Sequence, residues 1–277
     1  MASTCFEMDN DLAALLKISR KLPKIGVLRR IGRQLRKRYL REHENIEPVV
    51  ADVLGFQMRL DPKEYVDGAL LFYPHLYDIG PIGFVQRALK RGDTFLDLGA
   101  NIGYYALVAS QAVGPSGTVV AVEADPGNFE KMCFNLELNE LSNVRPLNLG
   151  VSDKRETLRL GINTNGNRGA NTFHHSENFA EGVDVQCAAL SEILQTQHIE
   201  KVAATKLDLE GFEFRVLKQF FEDVDESLYP GFLIVELNLK PFGDYRDQAK
   251  QALELLQNRG YRVAQQASRE NYVLVRS

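Results

Sequence analysis

The sequence predicts a Rossmann-like α/β fold: a seven-stranded, mostly parallel sheet closed by an antiparallel hairpin and preceded by an N-terminal helical extension. Three observations carry that prediction. Thr94 to Leu98 is a short apolar and β-branched run that reads as a buried strand, and Gly99-Ala-Asn-Ile-Gly103 turns sharply after it. Thr118 to Glu123 is a second such run, ending in an acid about 20 residues beyond the turn. Tyr261 to Gln265 and Asn271 to Val275 read as two strands that close the sheet as a hairpin.

Composition bounds the rest. A chain of 277 residues, 44% hydrophobic, is long enough to bury a sizeable core and is not expected to be disordered. Its formal charge of −4 is unevenly spread. Lys17 to Arg41 holds eleven basic residues and no acid, leaving 22 basic against 37 acidic elsewhere, a balance of −15. An acidic body argues against broad nucleic-acid binding. Cys5, Cys133 and Cys187 are odd in number and lack paired spacing, as expected of reduced thiols in the cytoplasm rather than a zinc site. No apolar run approaches the roughly 18 residues of a membrane span, and the N-terminus lacks a signal-peptide core.

Taken in order, residues 1–50 form the basic extension and residues 51–277 the main domain. Leu12 to Ile18 and Ile25 to Leu40 have helical apolar spacing, and Leu28, Ile31, Leu35 and Tyr39 make one stripe among arginines. Such a helix either packs on the domain, lies on anionic lipid through residues 12–41, or pairs two copies as a dimer. The lipid reading would put the chain at the inner membrane surface. Leu54 to Leu60 reads as a strand, and Leu70 to Asp78 leads into a helix from Pro81 to Lys90. Tyr105 to Val113 is a helix ended by Gly114-Pro115, and Pro126 to Asn139 another, with proline in its first turn. Val144 to Leu149, Val202 to Leu209 and Leu233 to Asn238 supply further strands, and Asp244 to Arg259 a helix. Between strands at Thr157–Leu160 and Val183–Ala188, residues 161–182 form a long polar, glycine-rich loop, of a kind usually functional or mobile.

The glycine turn selects the ligand. A dinucleotide fingerprint needs G-x-G-x-x-G, but here Gly99 and Gly103 stand four apart, with Asp97 two residues before the first. That pattern suits a ligand without phosphate and with a cationic amino-acid end, such as S-adenosyl-L-methionine (SAM). Asp97 would receive the ammonium, and Glu123 would hold a ribose diol by charge-assisted hydrogen bonds. Asp208, Glu210 and Glu213 cluster at a strand's carboxyl end, where open α/β sheets carry chemistry, with Lys206 on the same strand face as Asp208. Their mutual repulsion needs an offset from Lys206, helix-end amides, a cationic cofactor or a metal, and Glu213 is equally readable as a helix cap.

In order and spacing, Asp97-Leu-Gly-Ala-Asn-Ile-Gly-Tyr-Tyr105, Val122-Glu-Ala-Asp-Pro126, Asn135-Leu-Glu-Leu-Asn139, Gly150-Val-Ser-Asp153 and Lys206-Leu-Asp-Leu-Glu-Gly-Phe-Glu213 resemble the FkbM family of SAM-dependent methyltransferases, over about Leu54 to Val275. The resemblance implies the class I methyltransferase form of the fold. It implies that Tyr77-Asp78 closes over the cofactor, with Asp where Glu is commoner. By the same resemblance, Gly99, Ala100, Asn101 and Gly103 line the cofactor, Ala124 follows the ribose acid, and Gly150, Val151 and Ser152 or Asp153 pass the adenine. It sets the polar loop over the active site, so that Asn167, Asn171, His174 and His175 would meet a hydroxylated substrate.

The expected activity is O-methylation of a small-molecule hydroxyl on a sugar, glycolipid or secondary metabolite, with N-methylation open. Asp208 is the first candidate base, and Glu210 and Glu236 follow. No resident metal is expected, although Asp208, Glu236 and Asn238 offer oxygen ligands suited to Mg²⁺. Two competing readings are a NAD-dependent oxidoreductase and a non-catalytic module docked by its basic helix.

Overall fold

The computed structural model describes residues 8–23, 28–43, 45–164, 166–173, 176–237, 246–268 and 270–277. Helix α1 (Asn10–Ser19) is capped by Asp9, whose carboxylate accepts the Leu12 amide at 2.6 Å. The other oxygen of Asp9 accepts the Tyr39 hydroxyl at 2.6 Å, which ties α1 to α2 (Arg29–Glu42). Leu12, Leu16 and Tyr39 are buried and join the main core, so both helices are packed on the body.

The buried face of α2 keeps Tyr39 and part-buried Leu28 and Leu35 of the expected stripe but departs from it at Ile31. Ile31 is exposed, and Gly32 and Tyr39 face inward with part-buried Leu35 and Arg36. Close approach explains the departure. A Cβ on Gly32 would lie 2.4 Å from the Tyr73 ring, so only glycine lets the helix sit this near. The Arg36 guanidinium donates to the carbonyls of Pro62, Lys63 and Glu64 at 2.8, 2.6 and 2.8 Å. One residue of the basic run is therefore a structural clamp.

Strands β1 (Val49–Val53) and β2 (Phe56–Leu60) pair as a hairpin turned at Leu54-Gly55, both with positive φ. Helix α3 (Tyr65–Phe72) and α4 (Ile79–Ala88) lead to β3 (Thr94–Leu98). There follow α5 (Tyr104–Val113), β4 (Thr118–Glu123), α6 (Pro126–Leu138) and β5 (Val144–Asn148). A side sheet of β6 (Gly150–Ser152), β7 (Glu156–Ile162) and β8 (Glu181–Ala189) comes next, with β8 in the middle. The chain ends with α7 (Leu190–Thr196), β9 (Ala204–Leu207), α8 (Glu213–Asp223), β10 (Phe232–Glu236), α9 (Arg246–Asn258), β11 (Tyr261–Gln266) and β12 (Asn271–Arg276).

The main sheet has seven strands in the order β11-β12-β10-β9-β3-β4-β5. Strands β10, β9, β3, β4 and β5 pair in parallel, and β12 runs antiparallel to both its neighbours. This is the predicted seven-stranded, mostly parallel sheet with its closing hairpin. Pro146, which has no amide to donate, sits in the edge strand β5, where the loss is tolerated. Alternating residues feed two cores: Phe95, Val119 and Phe232 pack on one face, and Leu96, Val120 and Leu233 on the other. Among the described residues no helix is long and apolar enough to cross a membrane.

Candidate active site

The carboxyl ends of β3, β4, β9 and β10 meet around two adjoining cavities, where an open α/β sheet leaves room between diverging loops. The Gly99 turn makes the junction. Its φ is +77°, and a Cβ there would lie on the Asp208 carbonyl, so β3 and β9 meet this closely only through glycine. Gly99 and Ala100 both donate their amides to the Val122 carbonyl at 2.9 Å, which folds the turn over β4. Asp78, Asn101 and Glu210 all hold positive φ, unusual for residues with side chains, and all three line the larger cavity.

The first cavity is lined by Glu123, Ala124, Asn128, Val151, Leu160 and Phe173 among others. Glu123 is buried, with one carboxylate oxygen accepting the Asn101 amide at 2.7 Å and the other the Asp125 amide at 2.9 Å. Burial pushes its carboxyl up to about 7, against the pull of those amides. Residues 166–173 of the predicted loop lie against this cavity as a strap tied to the body. Gly166 accepts the Tyr65 amide at 2.8 Å, Arg168 donates its amide to Glu64 at 3.1 Å, and Thr172 donates its hydroxyl to the Glu210 carbonyl at 3.0 Å.

The second cavity, about 390 Å³, is lined by Tyr77, Asp78, Ala100, Asn101, Tyr104 and Tyr105, and by Lys206, Asp208, Glu210 and Glu236. Lys206 organises its floor. It pairs in register with Asp97 on β3, and its ammonium reaches the Gly99 carbonyl at 2.7 Å, Asp208 at 3.1 Å and Asp97 at 3.9 Å. Against its burial, Asp208 and Asp97 hold it above the usual lysine range. Asp208 keeps 36% of its side chain open. Burial pushes its carboxyl up, but Lys206 and a hydrogen bond from Glu236 outweigh that and hold it below the usual range. The Asp208 charge, then burial, pushes Glu236 up to about 11. Burial, then the charges of Asp208 and Glu213, pushes Glu210 up to about 9. At neutral pH the cluster therefore holds one charged carboxylate, Asp208, beside a protonated Glu236 and Glu210.

Several expected residues sit elsewhere. Asp97 is wholly buried behind the wall, with neither oxygen hydrogen-bonded, and burial pushes it up to about 6 despite Lys206. Ser152 turns away from the cavity to donate to Glu156 at 2.7 Å, and Asp153 pairs with Arg215 at 2.5 Å. Gly150 packs behind Phe173 and Cys187. In this turn only Val151 faces the cavity, because Arg215 draws the polar side chains to the far face. Asn171 lies on the first cavity, donating to Asp125 at 2.5 Å, whereas Asn167 lines the second. Glu213 caps the start of α8, accepting the Leu209 and Gly211 amides at 2.7 and 3.0 Å. Gly103, at φ +88°, packs on Met132 and starts α5. His174, His175 and Asn238 lie outside the described residues. Asp208, Glu210 and Glu236 each bring an oxygen within 4.8 Å of the others. Sequence reasoning missed Arg33, Tyr65, Phe173 and Arg168, none of which belongs to a motif.

The profile described as the Methyltransferase FkbM domain matches residues 97–263, more than half of the chain and every strand tip just described. The chain belongs to the FkbM methyltransferase family. This is a family of SAM-dependent methyltransferases. The dinucleotide reading falls with that assignment. Methyltransferase sdnD of Sordaria araneosa is 30% identical over 182 residues, covering 55% of this chain and 67% of its own length. Hexuronic acid methyltransferase AglP of Haloferax volcanii is 22% identical over 191 residues, covering 69% and 74%. Among solved structures, methyltransferase FkbM from Methylobacillus flagellatus is 13% identical with a TM-score of 0.45, covering 76% of this chain and 53% of its own.

Proposed function

We propose that this FkbM methyltransferase methylates a hydroxyl group on a small, hydroxylated acceptor such as a sugar, with Asp208 as the base. The observation that carries this reading is the place of Asp208, at the junction of the two cavities with the Lys206 ammonium 3.1 Å from its carboxylate. Asn101, Gly169, Asp208 and Glu210 line both of them. A group held in one cavity thus meets a group held in the other beside Asp208. The name of the hexuronic acid methyltransferase relative is in keeping with a sugar hydroxyl.

The residues present fit SAM. The first cavity offers Glu123 for a ribose and an apolar slot of Val151, Leu160 and Phe173 for a flat base. The Gly99 turn leaves its backbone bare, and the Asp97 carboxyl lies buried behind it, 3.9 Å from the Lys206 ammonium. When bound, SAM supplies a methyl group on a sulfonium, which leaves without acid assistance. The protein's own share is alignment and proton handling. Alignment of acceptor and methyl is worth roughly 7–11 kcal/mol in favourable cases. Lys206 fixes Asp208, and Glu236, by donating to one carboxylate oxygen, orients the other to receive the hydroxyl proton.

Calorimetric titration of SAM and its demethylated product tests the cofactor site. Binding should weaken in Glu123→Gln and in Asp97→Asn, the latter because a neutral amide cannot favour the ammonium. Undiminished affinity in both variants would remove these two residues from the site.

A further inference from the structure

The helical extension reaches the larger cavity. Arg33 on α2 and Tyr65 at the start of α3 line it, together with Asn167 from the strap. They stand on elements distinct from the strand tips that carry Asp208, Glu210 and Glu236. From this arrangement we infer that Arg33 and Tyr65 form a subsite for an oxyanion on the acceptor, so that the enzyme methylates a hydroxylated acid rather than a neutral alcohol.

Geometry supports this in three ways. First, the elements that carry this exposed pair are tied together. One helical turn beyond Arg33, the Arg36 guanidinium grips the carbonyls of Pro62, Lys63 and Glu64, the three residues just before Tyr65. One residue before Arg33, Gly32 packs on the Tyr73 ring. The strap adds the bond from the Tyr65 amide to Gly166. Second, the donors have capacity to spare. Arg33 donates one N–H to the Tyr65 oxygen at 3.3 Å. A phenol that accepts in this way keeps its own O–H to give, and the guanidinium keeps further N–H groups in its fork. Asn167 adds an amide at the same cavity wall. Third, the charges around the cavity leave the cationic side at Arg33. Lys206 offsets Asp208 on the floor, and the remaining carboxylates of the lining, Asp78 and Glu270, stand on elements other than α2 and α3. An acid-bearing acceptor would seat its oxyanion on Arg33 and turn its hydroxyl toward Asp208.

The inference rests on the methyl-transfer reading above, and its test separates the two. Full-length protein saturated with demethylated SAM is titrated with D-glucuronate, D-glucose 6-phosphate and D-glucose. Wild type should favour one of the two anions over glucose by roughly tenfold or more, and which one distinguishes carboxylate from phosphate. Arg33→Met, which keeps the stem on the helix, should erase that preference. Tyr65→Phe should reduce it by less, and glucose binding should stay unchanged in both. The wild type showing no preference for either anion, or Arg33→Met retaining it, overturns the proposal. SAM affinity is read in parallel: it should be equal in wild type and Arg33→Met, so a failed cofactor site appears in that arm alone.

Discussion

At the scale of single residues, the site is a problem in placing one negative charge. Asp208, Glu210 and Glu236 lie close enough for their charges to couple, so they cannot all ionise in a buried cleft. Lys206 decides in favour of Asp208, because its ammonium stands 3.1 Å away and outweighs burial there, while the Asp208 charge and burial raise Glu236 and burial and the Asp208 charge raise Glu210. This separates two substitutions that look alike in the sequence. Asp208→Asn removes the proton acceptor and should lower turnover by about 10²–10⁴. Glu236→Gln replaces a protonated carboxyl by an amide that donates the same hydrogen bond, so turnover should stay within about tenfold of wild type. Steady-state kinetics of the two variants under saturating SAM checks this. The reverse ranking would make Glu236 the base.

At the scale of elements, the basic helix α2 divides its charges between two duties. Arg36 is committed inward, where it satisfies three carbonyls ahead of α3. Lys37, its neighbour, is exposed. Hydrogen bonds to a charged group contribute about 1.5–3 kcal/mol each, though not additively. Arg36→Met should therefore lower unfolding stability by about 2–3 kcal/mol, while Lys37→Met should stay within about 0.5 kcal/mol of wild type. Chemical denaturation measures both. Equal effects would mean that the clamp does not hold the extension to the body.

At the scale of the whole molecule, buried carboxyls tie stability to pH. Glu123 and Glu213 are raised to about 7 by burial and Asp97 to about 6, from ordinary values near 4. In the unfolded chain these groups release their protons first, so the folded state binds more protons across the window from about pH 4 to 7. Stability then falls as pH rises through it, with each group contributing up to roughly 3 kcal/mol. Asp208 and Asp153 act oppositely, their lowered values withdrawing stability only below about pH 4. Thermal unfolding of the cofactor-free protein should show a maximum near pH 5 and a decline toward pH 8. A midpoint that climbs from pH 5 to pH 8 would refute this ledger of buried protons.

Much of the fold was legible in the chain because its signals are local. Thr94 to Gly103 encodes a buried strand and a turn in adjacent residues, and steric exclusion at Gly99 makes the meaning nearly unique. The nearly unbroken apolar runs of β3, β4 and β10 likewise announce a sheet covered on both faces. The strand-end acids were legible as a cluster for the same reason. Their division of labour was not, since it depends on where Lys206 sits relative to each of them. Ser152 and Asp153 read as adenine contacts until Arg215, from α8, draws them to the far side. Ile31 reads as part of an inward stripe until Gly32 and Tyr73 set how closely two helices approach. Arg33 is one arginine among many in the basic run until α2, docked beside α3, sets it, still exposed, in the lining of the larger cavity. The sequence by itself determined the βα scaffold and the cofactor's glycine turn, which are matters of backbone sterics and periodicity. Only the tertiary structure decided which carboxylate stands beside Lys206 and which arginine lines the larger cavity. Both depend on distances between groups remote in sequence, and electrostatic energy follows those distances.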